Sequence, residues 1–219
     1  SPEEFRSSIL LALAFGAKGI QIWKFATDLN PIYIGWTSCP FVYWKCLAES
    51  LSTNYRLYPL GQVIKDNIAP RLRGKLGNTL LKLKYTGNFI KRRYFIPTTE
   101  LFPGPDSFQY LTVGLYEADN KNINWHIGFL VDSTDTTYNK FFLLTNLLTE
   151  AQRSIRIDLT KPVAGFNNYR FRNVEPQYNF DTTYQNTFTA TLNFPAGEGY
   201  LYQVALWLSM AANLHSTTQ

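Results

Sequence analysis

The chain has 219 residues, of which 45% are hydrophobic, 16% aromatic and 17% charged, with a formal net charge of +5. This composition excludes a disordered chain, and two cysteines exclude a disulfide-stapled mini-protein. No apolar run approaches the ~18 residues of a membrane-spanning helix, so no membrane insertion is expected. The length allows one large domain or two small ones with their own cores, but falls short of the ~250 residues of a complete eight-stranded α/β barrel. The sequence begins at Ser1, its single Met is Met210, and a signal-peptide pattern is missing at its start. The simple reading is a processed protein; the reading favoured by the organisation below is a piece of a longer chain.

In chain order, residues 2–17 read as a helix. Ser1 is an N-cap, Pro2 suits the first helical position, and Glu3 and Glu4 suit the positive end of the helix dipole. Phe5, Ile9, Leu10, Ala12 and Leu13 form an apolar face, and Gly16 can end the helix. Residues 20–25, Ile-Gln-Ile-Trp-Lys-Phe, alternate as a strand does, so helix and strand resemble the second half of a βαβ unit. Further helices are expected over residues 40–55 and roughly 60–76. Residues 80–85 fit a strand or a frayed helix end, and 88–104 a connector punctuated by Pro97, Pro103 and Gly104-Pro105. Beyond Ser107 the pattern changes to short strands: 108–116, 124–131, 140–146, 153–159, 186–192 and 199–204. Ile155, Ile157 and Leu159 alternate against Arg156 and Asp158, and Phe188, Ala190 and Leu192 against Thr187, Thr189 and Thr191. Such a series suggests an antiparallel β-sandwich. Residues 205–219 do not continue the strand pattern.

Charge divides the chain at the same place. The first hundred residues carry fourteen basic and six acidic side chains, the remainder seven and ten. Ten basic residues between Arg56 and Arg93, Arg71 among them, face Asp66 alone. A basic stripe attracts phosphates, but its ordinary role is a solvated helix face, and no nucleic-acid-binding motif accompanies it; no nucleic-acid partner is expected.

Residues with recognisable chemistry are few. His126 and His215 have no second histidine at ligand spacing, and Cys39 and Cys46 lack a further pair, so neither a metal site nor a cofactor is expected. Glu117, Asp119, Asp132, Asp135, Glu175 and Glu198 fall at expected turns or strand ends, where solvated charge is the default, and none is assigned as one of the paired carboxylates that hydrolyse glycosides. The catalytic residues are therefore unassigned. Aromatic residues cluster early: Trp23, Tyr33, Trp36, Tyr43 and Trp44. Flat rings suit sugar C–H faces and protein cores alike. Trp23 stands out because it lies toward the C-terminal end of an expected parallel strand, where α/β barrels place their active sites.

The segment Ser1-Pro2-Glu3-Glu4-Phe5-Arg6, continuing through Leu11-Ala12-Leu13-Ala14-Phe15-Gly16-Ala17-Lys18-Gly19-Ile20 to Trp23, resembles the last helix–strand step of clan A glycoside hydrolase barrels of the β-galactosidase-like and mannanase-like kind. Residues 40–57 resemble the final barrel helix and 107–204 the C-terminal β-sandwich of such proteins, closing with Phe194-Pro195-Ala196-Gly197-Glu198-Gly199-Tyr200-Leu201-Tyr202. The match at motif level covers residues 1–25. The resemblance implies an α+β chain: a mainly helical remnant of a (β/α)8 barrel over 1–100, an antiparallel β-sandwich over 101–205, and a tail at 206–219. It places Trp23 at a sugar-contacting position and Lys24 beside it, and Trp36 joins them as a carbohydrate-binding candidate. The family's catalytic carboxylates lie on the fourth and seventh barrel strands, upstream of the matched step, so none is carried over.

The expected function is that of a glycoside hydrolase-derived protein, secreted by a bacterium, that acts on or binds a polysaccharide or oligosaccharide, with the sandwich as an accessory domain. Whether the chain is itself an enzyme stays open. The alternative is a non-catalytic interaction module that binds acidic polymers through the 56–93 stripe. An incomplete barrel leaves an apolar helix face and a strand edge, so residues 1–60 are expected to pack on the sandwich or on another copy, giving a homo-oligomer.

Overall fold

The computed structural model describes residues 1–21, 26–27, 48–49, 56–57, 59–91, 100–103, 112–117, 125–134, 139–160, 168–178 and 180–206. The chain is a mixture of helix and antiparallel sheet in which strands predominate.

Helix α1 (Pro2–Ala14) begins as its first residues dictate. The Ser1 hydroxyl accepts from the Glu4 amide at 3.2 Å, and the Glu4 carboxylate accepts from the terminal ammonium at 2.5 Å, closing a capping box. Gly16, at φ +89°, turns the chain out of the helix. Lys18 then donates to the carbonyls of Leu80 (2.7 Å) and Leu83, tying the exit of α1 to the corner at residues 80–83. Of the strand expected over residues 20–25, Ile20 and Gln21 are not in a strand, and 22–25 lie outside the described residues.

Among the described residues, three short strands follow: β1 (Ala26–Thr27), β2 (Ala48–Glu49) and β3 (Arg56–Leu57). β1 and β2 pair in parallel, β2 and β3 antiparallel. The helix expected over 40–55 is therefore interrupted at Ala48–Glu49. Both residues are good helix formers, and pairing on both sides overrides that weak preference. The remainder of that span lies outside the described residues.

Residues 59–73 form one helical run: α2 (Pro59–Val63), a π turn (Ile64–Ile68) and α3 (Ala69–Arg73). Pro70 accounts for the π turn. It has no amide to offer the carbonyl one turn back, and its ring crowds that carbonyl, so the ladder widens just before it. Gly74 separates α3 from α4 (Lys75–Leu80).

Ten further strands follow among the described residues. Those of the larger sheet are β4 (Leu83–Lys91), β7 (Trp125–Asp132), β8 (Asn139–Asn146), β10 (Tyr169–Asn173), β11 (Asp181–Tyr184) and β13 (Gly199–Leu206), in the order β11-β10-β13-β8-β7-β4. The smaller sheet contains β5 (Glu100–Pro103), β6 (Thr112–Glu117), β9 (Arg153–Thr160) and β12 (Thr187–Phe194), in the order β12-β9-β6-β5. All neighbours within these two sheets are antiparallel. The connector expected over 88–104 is occupied at both ends by strand, the end of β4 and the whole of β5. β10 and β11 lie where the sequence pattern shows no strand; in β10, Arg170 and Arg172 hide a half-buried alternation whose inward residues are Tyr169, Phe171 and Asn173. The strand expected over 199–204 runs on through Ala205 and Leu206, and 207–219 lie outside the described residues.

β7 and β8 are buried on both faces. On one side Trp125, Ile127, Phe129, Phe142 and Leu144 share an apolar cluster with Ile155, Ile157 and Leu159 of β9 and with Leu192 and Phe194 of β12. On the other side Leu130, Phe141 and Leu143, with Leu201 of β13, meet Ile9, Leu10, Leu13 and Ala14 of α1 and Ile68, Leu76 and Leu80 of the later helices. Full burial of each such side chain contributes about 2 kcal/mol. Helices and strands from both sides of position 100 thus meet in one cluster, and β4 bonds directly to β7.

α1 lies so close to β7 that a Cβ on Gly128 would stand 2.1 Å from the Ala14 carbonyl oxygen. Gly128→Ala is expected to destabilise the protein by at least ~2 kcal/mol, read as a fall in the denaturation midpoint, because backbone rather than a movable side chain blocks the new methyl. An unchanged midpoint would contradict this packing.

Beside Gly128, His126 is fully buried against the Phe15 ring, with centroids 4.8 Å apart. Neither of its ring nitrogens has a hydrogen-bond partner among the described residues, nor does the hydroxyl of Thr145, its neighbour across the β7–β8 ladder. Burial pulls the imidazole from its ordinary 6.5 down to about 4. Between those values the unfolded chain holds a proton that the folded chain does not, so stability falls as pH drops from ~6.5 toward ~4, by about 3 kcal/mol in all. Urea melts at pH 7 and pH 4.5 should show His126→Leu losing much less stability over that interval than the parent protein.

Candidate functional site

Trp23, Lys24 and Trp36, the residues selected from sequence, lie outside the described residues, as do Cys39 and Cys46. The most elaborate polar assembly that is described centres on Arg71. In the helical run, Arg71 follows Ile64 by seven positions and Ile68 by three, which puts it on the apolar stripe rather than the solvent face. Its side chain is 4% exposed. From there it reaches the loop after β10 and the turn before β13.

The guanidinium forms a two-pronged pair with Glu175: Nε to Oε1 at 2.8 Å and Nη2 to Oε2 at 2.7 Å. Nη1 donates to Glu198 Oε1 at 2.6 Å, and Nη2 also donates to the Gly199 carbonyl at 2.6 Å. Tyr178 and Tyr200 flank the cation, each ring centroid 5.7 Å from its central carbon. Glu175 further accepts from Gln177 at 3.3 Å. The other oxygen of Glu198 accepts from Asn67 at 3.3 Å and stands 3.4 Å from Arg6 Nε of α1. The Gly199 amide donates to Glu198 at 3.0 Å. Burial alone disfavours the charged guanidinium, and the bonds and charges of Glu175 and Glu198 more than reverse this, so its proton is held more tightly than usual.

Four charged side chains from distant parts of the chain thus balance one another: Arg6 and Arg71 against Glu175 and Glu198. α1 is fastened at the same point. Arg6 donates to the carbonyls of Ala196 and, at 3.3 Å, Gly197. Gly197, at φ +63°, lets the turn pass under Glu3, where a Cβ would stand 2.3 Å from its carbonyl oxygen.

Glu175 and Glu198 are therefore not the solvated turn residues that their sequence positions suggest. They are 1% and 3% exposed, because the helical run covers both turns and supplies the neutralising cation. The signal available in sequence was an arginine on an apolar helix face, which demands buried acceptors. The pair does not have the arrangement of a glycosidase acid and nucleophile, which must face a shared sugar site with oxygens free to act on it; here the carboxylates are engaged by Arg71, Arg6, Asn67 and Gln177. Arg71 also leaves the basic stripe, whose described exposed members are Lys65, Arg73, Lys75, Lys82 and Lys84. Among the described residues, no three His, Cys, Asp or Glu side chains gather where they could hold a metal, and no helix is long and apolar enough to cross a membrane.

Two concavities adjoin the Arg71 assembly, one on each side of Tyr178. The first, of about 220 Å³, is walled by Asn67, Arg71, Glu175 and Gln177 and rimmed by Asp66 and Lys75. The second, of about 240 Å³, lies between the two sheets where β12 forms an edge, and is lined by Asn173, Phe180, Thr191, Asn193, Tyr200 and Tyr202. Comparison of the chain with protein-family models, curated proteins and solved structures finds no match to any of them.

Removing the Arg71 cation leaves two buried carboxylates facing each other. Arg71→Ala should destabilise the fold by about 3–5 kcal/mol, and Arg71→Lys by an intermediate amount because one ammonium cannot reproduce the two-pronged pair. Chemical denaturation of the two variants, with Arg73→Ala as the exposed control within ~0.5 kcal/mol of the parent, checks this ranking.

Proposed function

We propose that this chain is part of a glycoside hydrolase-like protein that acts on or binds a polysaccharide. In this reading the two sheets are its accessory β-sandwich, and the N-terminal segment is the last helix–strand step of a (β/α)8 barrel. The observation that supports it most directly is the meeting of the two segments that carry the resemblance. Arg6 of the Ser-Pro-Glu-Glu-Phe-Arg opening bonds to Ala196 and Gly197 and pairs with Glu198 of the Pro-Ala-Gly-Glu-Gly turn, 190 residues away in sequence. A barrel helix that docks on an accessory sandwich needs this kind of contact, in which helix and turn each supply what the other leaves unpaired.

The sugar site of this reading is the end of the barrel strand, with Trp23 as its sugar-contacting residue, Lys24 its neighbour in sequence, and Trp36 a further carbohydrate-binding candidate. Extracellular location and association through residues 1–60 belong to the same proposal. The alternative role, binding acidic polymers through the 56–93 stripe, would rest on its exposed members Lys65, Arg73, Lys75, Lys82 and Lys84, since Arg71 is engaged in ion pairs.

A panel of neutral β-glucan, mannan and galactan oligosaccharides, with heparin as a polyanion, tests the reading. The protein is expected to bind at least one neutral glycan with an affinity that does not change between 50 and 500 mM salt. Trp23→Ala should weaken that binding about tenfold, the equivalent of ~1.4 kcal/mol. Binding confined to heparin and lost at high salt would replace this reading with the acidic-polymer one.

A further inference from the structure

We infer that the two concavities on either side of Tyr178 are one binding cleft for two neighbouring units of a neutral glycan. This rests on the carbohydrate reading above and deepens it by locating a second sugar site on the accessory sheets.

The first reason is the aromatic wall. Tyr178 is half-buried, and its ring lies 4.3 Å from that of Tyr200 at 49°, with the Arg71 guanidinium near both. Held in this way, it divides the two concavities as a fixed plate. Phe180 adds a second half-buried ring to the sheet-edge side, set edge-on to Phe171 and Tyr202. A pyranose presents an apolar C–H face to such plates and hydroxyls around its rim.

The second reason is the polar lining. Each concavity mixes rings with primary amides: Asn67 and Gln177 on one side, Asn173 and Asn193 on the other. Asn67 and Gln177 already donate to Glu198 and Glu175, and the Asn173 and Asn193 oxygens accept from the Glu175 amide and the Ser154 hydroxyl; each amide carries a further N–H that a sugar hydroxyl can accept. Both volumes fall below the ~300 Å³ at which pockets for drug-sized molecules begin, and each suits one monosaccharide rather than a larger group.

The third reason is charge. The first concavity is lined by one buried ion pair, Arg71 with Glu175, and by one charge of each sign on its rim, Asp66 and Lys75, and the second has no charged lining residue. A phosphate, sulfate or uronate entering the first concavity finds the Arg71 guanidinium already engaged by Glu175 and Glu198, and the charge of Lys75 there is offset by Asp66. The site therefore favours an uncharged ligand.

The test is calorimetric titration of cellohexaose, mannohexaose and a β-galactan hexasaccharide into the Trp23→Ala protein, so that the site at Trp23 is removed, with hydrogen exchange mapping the residual binding. Residual binding is expected, with protection over 173–178 and 191–193. It should weaken at least tenfold in Tyr178→Ala and stay within about threefold in Tyr178→Phe, which keeps the ring. Because Tyr178→Ala also disturbs the Arg71 assembly, Thr191→Trp provides a second block: Thr191 is exposed on the edge strand, and a large ring there fills the mouth of the sheet-edge concavity without touching the ion pairs. Loss of residual binding in both variants, with unchanged melting temperature in Thr191→Trp, supports the cleft. Residual binding unaffected by either variant overturns it, as does complete loss of binding in Trp23→Ala alone, and both results leave the carbohydrate reading standing. Absence of any neutral-glycan binding by the parent protein overturns that reading and the cleft together.

Discussion

The ion-paired cluster around Arg71 is the constraint on which the rest of the arrangement depends. A guanidinium brought under a helix must be met by acceptors there, and it is met by two carboxylates and a backbone carbonyl. Glu198 in turn engages Arg6 on the first helix. One cluster therefore joins the first helix, the 59–73 helical run, the loop after β10 and the turn before β13. Apolar contact among these elements is non-directional and would tolerate several registers. The paired charges tolerate one, since a displaced helix would strand a buried charge.

The central strands explain why such a lock is useful. β7 and β8 are apolar on both sides, so each face of the larger sheet requires a covering layer. The smaller sheet covers one face and the helices the other. Gly128 and Gly197 allow the helix backbone to descend onto β7 and onto the turn, and Lys18 fastens its exit. The concavities beside Tyr178 follow from the same construction. They occupy the gaps left where the charged turns meet the sheet edge, and the ring between them is held by the cation it flanks.

Much of the local structure was legible in the sequence because it depends on neighbours along the chain. Ser1, Pro2 and Glu4 form the helix start their chemistry demands. Ile155, Ile157 and Leu159 point inward and Arg156 outward, as alternation requires. The failures have physical causes. Ala48 and Glu49 favour helix but are paired on both sides. Arg170 and Arg172 mask the strand that buries Tyr169 and Phe171. Glu175 and Glu198 look like solvated turn residues because the cation that buries them lies more than a hundred positions away.

By itself, then, the sequence determined the capped first helix, the alternation of strands after residue 107, and the mixed class of the chain, since caps, periodicity and turns act over a few residues. Only the tertiary structure decided that residues 83–91 complete the larger sheet, that the helices cover its outer face, and that Arg71 leaves the basic stripe to neutralise two distant carboxylates. Burial and charge compensation depend on which segments meet in space, and no local pattern records the partner of a side chain more than a hundred residues away.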